Sequence, residues 1–382
     1  MADRYLDFSR QVPDPYDLWA CRPGLWVRRK FYDGALLGKI GAVGLAVLDW
    51  LLPATARRLF GCHGRVYPIT VAQMILMNPD VDAGQALQGL RACAVPDRDR
   101  YGLAWGLGFP WMSKNGLYPP EMPFVTHTPY AMEALIRLQD AGGEIGAAAH
   151  QDFMATWQFL ESLHVMAESA DELALSYAPV SEPRIVINAN AYACFAYALH
   201  GVYQPDVADY AFGRARRLAR FVVGQQAQDG AWQYYADSEP GNFIDCFHSC
   251  FVIKNLGKAA ALDHEIGAIL GDTLIHARQY INRNFYDERV GLVRRFTERD
   301  IKDPYVWDLY DQAEYLGVLI DAGDLERAAD LADSAVDRFY RSGHWYCRTD
   351  FFGRRWGRDF ARWGIVPFLY QYERLRRVTG QL

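Results

Sequence analysis

The segment DCFHSCFVIKNLG, residues 245–257, places an acid and an imidazole at the start of an apolar helical run. After His248 the apolar residues are spread around the whole helical circumference, which is typical of a helix buried on every side. Asp245 is suited to cap this helix, because an aspartate side chain accepts hydrogen bonds from the first backbone amides. The segment therefore predicts a buried helix with a polar start.

The same combination, a polar cluster followed by a helix that is apolar nearly all round, occurs five times. The clusters are Thr126-His127-Thr128, Asn188-Ala-Asn190, Asp245-Cys-Phe-His248, Asp308-Leu-Tyr-Asp311 and Arg362-Trp363. Counted from His127 through Asn190, His248 and Asp311 to Arg362, they are 63, 58, 63 and 51 residues apart. Such a period is that of a helical hairpin repeated around a ring.

Other helical segments are expected between the clusters, and those such as 151–167 and 207–226 are amphipathic and suit an outer layer. The sequence thus predicts an all-α fold, an (α/α) toroid of five hairpins with a sixth, degenerate one over residues 30–90. No linker rich in Ser or Pro interrupts the series, so we expect a single domain over residues 1–382, with 1–60 as an N-terminal helical segment.

Composition and charge narrow the function classes. With 51% hydrophobic residues the chain is expected to bury a large core, and its net charge of −6 gives no footprint for nucleic acid. The N-terminus lacks the continuous apolar segment of a signal peptide, and the seven cysteines form no CxxC pair. These features favour a cytoplasmic protein with reduced thiols. Cys246, Cys250 and His248 also have spacing compatible with a metal, but it is not diagnostic, and we predict no metal and no cofactor.

The most hydrophobic segment, residues 35–52, is interrupted by Lys39, Asp49 and Trp50. It therefore falls short of the roughly 20 apolar residues that a membrane-spanning helix needs. Two interpretations remain: an ordinary core helix, or a peripheral membrane contact through residues 35–58, with the apolar face down and the basic end toward the headgroups.

In a toroid all inner helices run the same way, so the polar clusters are expected to converge around one funnel. There we expect three candidate catalytic residues: His248, which titrates near neutrality, supported by Asp245, and Asp311, the last residue of the next cluster. Aromatic rings and polar side chains around the funnel suit a sugar ligand. The candidate substrate-binding residues are Trp105, Trp111, His127, Asn188, Asn190, Trp232, Asp308, Tyr346, Arg362 and Trp363.

Several stretches together carry a family resemblance; they are Trp105-Gly106 to Trp111, Pro119–Thr128, Asn188-Ala-Asn190-Ala, Asp229-Gly-Ala-Trp232 and Ile244–His248. In order and spacing they resemble bacterial α/α-toroid proteins of capsule and exopolysaccharide biosynthesis clusters, distantly similar to six-hairpin glycosidases, polysaccharide lyases and uronyl C5-epimerases. One departure is Pro110, which stands before Trp111 where the family usually has an aspartate.

The resemblance implies a protein of surface-polysaccharide biosynthesis, acting on a uronate-like oligosaccharide or lipid-linked glycan by elimination, epimerisation or hydrolysis. A non-catalytic glycan-binding protein in a synthesis complex is the alternative. A third interpretation comes from Gln226–Trp232, which looks like the QxxxGxW motif of terpene cyclases. Asp80-Val-Asp82-Ala lacks the last acid of the DxDD motif that those enzymes use, and a shared fold alone is weak evidence of shared chemistry.

Overall fold

The computed structural model describes residues 3–297 and 304–380. Its helices are α1 Asp17–Ala20, α2 Arg22–Tyr32, α3 Leu36–Leu51, α4 Pro53–Leu59, α5 Pro68–Met77, α6 Ala83–Ala92, α7 Arg98–Tyr101, α8 Thr128–Gln139, α9 Gly143–Ala155, α10 Trp157–Ser162, α11 Ile187–Tyr203, α12 Ala208–Gly224, α13 Cys246–Leu262, α14 His264–Leu270, α15 Thr273–Asn284, α16 Leu309–Asp321, α17 Leu325–Phe339 and α18 Val366–Val378.

Short antiparallel strands connect the helices. They are β1 Trp111–Ser113, β2 Gly116–Tyr118, β3 Val165–Glu168, β4 Leu173–Leu175, β5 Tyr286–Asp287, β6 Leu292–Val293, β7 Tyr305–Asp308, β8 Tyr340–Arg341, β9 His344–Asp350 and β10 Arg355–Arg358. β1 pairs with β2, β3 with β4 and β5 with β6, while β9 pairs with β7, β8 and β10.

Six helices form an inner ring in the order α5, α8, α11, α13, α16 and α18, and α18 returns to contact α5. Most of the surface of these helices is buried, as their all-round apolar sequences predicted; α11, for example, is buried from Ile187 to Gly201. Helices α6, α9, α12, α15 and α17 pack outside them. This arrangement confirms the predicted (α/α) toroid.

The structure corrects some predicted boundaries. The helix predicted over 151–167 is divided at Thr156 between the end of α9 and α10, which ends at Ser162. Val165 begins a strand instead, because β4 offers it backbone hydrogen bonds that outweigh the local helical pattern. The apolar spacing of residues 265–283 also predicts a single helix. Gly271, whose φ of +47° is left-handed, ends α14, and α15 begins at Thr273.

The sixth hairpin is built from α5 and α6, which cover only the last part of the predicted 30–90 range. Residues before it form a separate hairpin in which α2 packs against α3. No helix in the described part of the chain has both the length and the apolar character required to cross a membrane.

The two ends of the ring are joined by a buried ion pair. Arg362 Nε and Nη2 donate to Asp14 Oδ2 and Oδ1 at 2.5 and 2.7 Å, and both side chains are less than a tenth exposed. The fork geometry matches both oxygens of the carboxylate. The pair therefore ties the N-terminal segment to the start of α18, 348 residues away.

We predict that Asp14→Asn destabilises the protein by about 3–5 kcal/mol, because it leaves the Arg362 guanidinium buried without its counter-charge. The free energy of unfolding, measured in urea, is the readout. The matched control is Asp33→Asn, since Asp33 forms an exposed pair with Lys30 at 3.9 Å, worth about 0–1 kcal/mol. Equal losses in the two variants would contradict this account.

His200 is a second buried titratable group in the wall of the toroid. It is fully buried, its ring stacks on Phe153 at 4.6 Å, and its two nitrogens lie near Thr156 Oγ1 and Gln204 Oε1. Burial lowers the pKa of His200 to about 4, although the hydrogen bond with Gln204 opposes the change. Between pH 6.5 and 4 the folded protein therefore binds fewer protons at this site than the unfolded chain, and stability is lost as the pH falls.

The stability advantage of wild type over His200→Gln should accordingly shrink by about 2 kcal/mol from pH 7.5 to pH 5. Urea unfolding of both proteins across this range measures the difference, in which the contributions of all other groups cancel. An advantage that stays constant with pH would show that His200 has the same pKa in the folded and unfolded states and would contradict this account.

Candidate active site

A cavity of about 380 Å³ lies at the N-terminal ends of the inner helices. Each inner helix, or the residues just before it, contributes to its lining: Ile69, His127, Asn188, His248, Tyr310 and Trp363. Because the six helices run in the same direction around the ring, the polar groups at their starts meet at one end. The convergence expected from the sequence is present.

The start of α13 holds an Asp–His pair. Asp245 caps the helix, its Oδ1 accepting from the backbone N–H of His248 at 2.9 Å, while its Oδ2 lies 2.7 Å from His248 Nδ1. The Asp245 side chain is 2% exposed and the His248 side chain 22%. Since a carboxylate can only accept, Nδ1 carries the hydrogen of this bond and Nε2 is left for a ligand.

His127, just before α8, is the second imidazole at the cavity. Its Nδ1 lies 3.2 Å from Thr126 Oγ1, which itself donates to the Tyr177 hydroxyl at 3.0 Å. Burial lowers the pKa of His127 to about 3, and the positive charge of Arg362 adds to the effect. His127 is therefore a neutral imidazole.

Asn188, in the first turn of α11, also lines the cavity and is 4% exposed. Its Oδ1 is buried and has no hydrogen-bond partner among residues 3–297 and 304–380. A buried acceptor without a donor is unfavourable by about 1–3 kcal/mol. A hydroxyl group of a bound ligand would satisfy it.

The walls of the cavity are mostly aromatic. They include Tyr16, Phe109, Trp111, Tyr177, Tyr192, Tyr234, Phe243, Phe247, Phe251, Tyr310 and Trp363. Trp363 stacks on Tyr310 with the ring centroids 4.5 Å apart, and the His248 ring lies 3.9 Å from that of Phe247. The aromatic rings thus surround the polar groups on several sides.

Asp308, outside the cavity lining, is hydrogen-bonded to residues of β9, of α16 and of the segment before α18. It accepts from Arg348 Nε at 2.7 Å, from Trp363 Nε1 at 2.9 Å and from the Tyr310 backbone at 2.9 Å, and Arg295 Nη2 lies 2.9 Å away. Burial alone would raise the pKa of Asp308, but Arg295 and Arg348 hold it below its usual value. Asp308 does not line the cavity; it fixes Trp363 and Arg295, which do.

Asp311 is fully buried in the first turn of α16 and accepts from Arg295 Nε at 3.0 Å. Burial raises its pKa to about 8 against the opposing charge of Arg295, and the nearby Asp308 and Asp245 add to the rise. Asp311 does not line the cavity, and it affects the cavity by holding Arg295, which does.

The remaining sequence candidates divide into two sets. Trp111, Arg362 and Trp363 line the cavity. The others do not line it: the indole N–H of Trp105 donates to the Leu90 carbonyl and that of Trp232 to the Val222 carbonyl, Asn190 is hydrogen-bonded to the backbone of β4, and Tyr346 is half-buried on β9. Arg362, expected to bind the substrate, has two of its nitrogens bound by Asp14.

Sequence reasoning missed three cations of the cavity, Arg28, Lys114 and Arg295. Arg28, on α2, stacks over Trp111 at 3.6 Å and donates to the Tyr32 hydroxyl, while Lys114 donates to the Pro240 carbonyl. Nothing near them in the sequence marks them, because each reaches the cavity from outside the repeated clusters. Within the described ranges, no three His, Cys, Asp or Glu side chains are grouped so that they would hold a metal ion.

No protein-family model matches the chain, and no curated protein matches it in sequence. Solved structures do resemble it. The structure of cellobiose 2-epimerase from Bacillus thermoamylovorans has a TM-score of 0.60 at 12% identity, covering 83% of this chain and 90% of that one. A sugar epimerase from a ruminal bacterium has a TM-score of 0.58 at 14% identity, covering 84% and 90%. A D-mannose isomerase has a TM-score of 0.58 at 12% identity, covering 83% and 87%.

At these identities the likeness concerns the fold. This chain and those three proteins share the arrangement of helical hairpins around a ring over most of their lengths, in agreement with the toroid described above. The capsule and exopolysaccharide setting that the resemblance implied is not among these findings.

Proposed function

We propose that the protein is a carbohydrate-active enzyme that epimerises an anionic, uronate-like sugar by moving a proton on carbon. The observation that carries the proposal is the His248–Asp245 pair, which presents one imidazole nitrogen to an aromatic cavity that also holds the neutral His127. The three similar structures are those of a sugar epimerase, a D-mannose isomerase and a cellobiose 2-epimerase. They support a sugar as the class of substrate.

The lining of the cavity suits a sugar ring. Aromatic faces such as those of Trp111, Trp363 and Tyr234 pack against the C–H faces of a pyranose, and the unpaired Oδ1 of Asn188 accepts from a hydroxyl. A volume of about 380 Å³ accommodates a small number of sugar units rather than a long polymer segment.

Epimerisation requires removal of a proton from one face of a carbon and return of a proton to the other. His248 lies on α13 and His127 precedes α8, two walls separated by α11. Their environments differ, because Asp245 fixes the tautomer of His248 and leaves its Nε2 for a ligand, while burial and Arg362 keep His127 neutral. The neutral imidazole accepts the proton from carbon, and the other imidazole, which must then carry a proton on both nitrogens, returns one to the opposite face; the roles are exchanged in the reverse direction.

The charges around the cavity favour an anionic substrate. Arg28, Lys114, Arg295 and Arg362 line it, and buried aspartates outside the lining pair with the last two. Asp245 is the only carboxylate among the lining residues in the described part of the chain. When a proton leaves the carbon next to a carboxylate, negative charge develops on the carboxylate oxygens, and nearby guanidinium groups stabilise it. We propose Arg362 and Arg295 for this role, with Asp308 and Asp311 positioning Arg295.

Hydrolysis fits the geometry less well. Glycosidases use two carboxyl groups about 5–10 Å apart on either side of the bond that they cleave. Among residues 3–297 and 304–380, Asp245 has no second cavity-lining carboxylate to act with, and its own oxygens are bound to His248. Asp245 is therefore proposed as a positioning residue and not as an acid catalyst.

For the biological setting we propose the synthesis of bacterial surface polysaccharides in the cytoplasm, with the chain acting as one domain on a glycan, free or carried on a lipid. A peripheral membrane contact through residues 35–58 belongs to this proposal. The support for it is the exposed apolar face of α3, where Leu36 and Leu37 are 71% and 67% exposed.

We predict that His248→Ala abolishes the exchange of a sugar C–H proton with solvent, with a loss of at least about 100-fold in rate. Proton NMR in deuterated water, with a panel of uronate-containing oligosaccharides, measures the exchange. His264→Ala is the control, because the His264 side chain is 93% exposed at the start of α14, away from the cavity lining.

Loss of the C5 proton signal without cleavage is the expected result for wild type and the control. A new vinyl signal would instead mean elimination, and new reducing-end signals would mean hydrolysis. Line broadening without any reaction in wild type would contradict the catalytic proposal and favour a glycan-binding protein.

We predict a different effect for Asp245→Asn. An asparagine still caps α13 through its carbonyl oxygen, but its amide N–H₂ faces His248 Nδ1 and favours the tautomer with the hydrogen on Nε2. The turnover number should fall by about 100-fold or more, with a small change in KM and little change in the free energy of unfolding. If the variant unfolds at much lower urea instead, the carboxylate is mainly structural.

A further inference from the structure

The hairpin of α2 and α3 carries a large exposed apolar surface. On α3, six side chains at three- and four-residue spacing are 44–71% exposed: Leu36, Leu37, Ile40, Val43, Val47 and Leu51. A helix packed into a core points such a row of side chains inward. Here the row faces out, and contiguous apolar surface of this kind marks a contact with another apolar phase.

The surface continues onto a distant part of the chain. Trp50, near the end of α3, stacks on Phe352 with the ring centroids 6.3 Å apart, and Phe351 lies 5.6 Å from the same ring. Phe351 and Phe352, in the turn between β9 and β10, are 57% and 77% exposed. The tertiary structure has therefore assembled one apolar surface from segments about 300 residues apart.

The same region is strongly basic. Residues 22–59 contain seven Lys or Arg and two Asp or Glu, a net charge of +5, in a chain whose total is −6, so the remainder carries −11. Arg354 adds a guanidinium 5.2 Å from the Trp50 ring. Positive charge beside exposed aliphatic and aromatic residues is complementary to anionic lipid headgroups above an apolar interior.

We propose that this surface, formed by residues 22–59 with Phe351 and Phe352, docks on an anionic membrane. In the docked protein the cavity receives a sugar carried on a lipid phosphate. A second copy of the chain fits the surface poorly, because two faces of charge +5 repel. The helix lies on the bilayer without crossing it, since the 16 residues of α3 span about 24 Å and the hydrocarbon core is about 30 Å thick.

The hairpin also borders the cavity, which connects docking with the substrate. Arg28 and Tyr32, on α2, line the cavity, and α3 packs on α2. Lys114, on the β1–β2 turn, also lines the cavity, and the Arg28 guanidinium stacks over Trp111 of that hairpin. A lipid-borne sugar would thus enter past two cations suited to a phosphate group. This part rests on the proposed sugar chemistry of the cavity.

The test is sedimentation of the full chain with vesicles, either phosphatidylglycerol mixed with phosphatidylcholine or phosphatidylcholine alone. We expect binding to the anionic vesicles that weakens as salt rises. Ile40→Glu with Val43→Glu should reduce it by about tenfold or more, because both charges face the lipid. The matched control is Val202→Glu with Ile275→Glu, two apolar residues that are each 44% exposed on α11 and α15; it should bind as wild type does.

Three results would overturn the inference: no binding to anionic vesicles, equal binding by both double variants, or light scattering that shows a dimer broken only by the α3 changes. The last would assign the surface to a second copy of this chain.

The test is separate from that of the proposed chemistry. The α3 variant should keep wild-type turnover of a soluble uronate sugar, since Ile40 and Val43 do not line the cavity. Vesicle binding without any turnover would leave docking intact and remove the enzymatic proposal. Turnover of the soluble sugar without vesicle binding would remove the docking proposal and leave the enzymatic proposal intact. If the α3 variant binds vesicles weakly and also unfolds, circular dichroism shows it, and Leu36→Ser with Leu37→Ser replaces it.

Discussion

Closure of the ring is the constraint on which the rest of the structure depends. Once α18 contacts α5, all six inner helices are held side by side in one direction, and their first backbone amides point to the same end of the molecule. Those amides need acceptors, so polar side chains collect there. Asp245 and Asp308 supply acceptors at α13 and α16, and the cavity is the space that remains between these helix starts.

Burial of charge then determines which charged groups are held in pairs. Arg362 is paired with Asp14, Asp308 accepts a hydrogen bond from Arg348, and Lys254 is paired with Glu314 in the interior. Each of these pairs is retained because a single buried ion would be highly unfavourable. His248 differs, since Asp245 holds one nitrogen and the ring remains 22% exposed toward the cavity. Its environment combines a fixed orientation with access, which is what proton transfer requires.

Two parts of the surface, the outer helices of the toroid and α3, show opposite character. The outer helices of the toroid are amphipathic and present polar residues to solvent, as in α17, whereas α3 presents aliphatic residues. Because this apolar helix packs on the helix that contributes Arg28 and Tyr32 to the cavity, the site and the apolar surface are neighbours. A substrate with a charged sugar at one end and a lipid at the other would match both.

The sequence by itself determined the toroid, the inner helices and the polar clusters at their starts, because helical periodicity and capping depend on residues three or four positions apart. It also singled out Asp245 and His248, whose contact lies within one helical turn. It did not distinguish Trp111 in the cavity from Trp105 behind it, nor find that Arg362 is bound by Asp14, nor identify Arg28 and Arg295. These features were decided by the tertiary structure alone, since each depends on contacts between residues far apart in the chain, which no local pattern records.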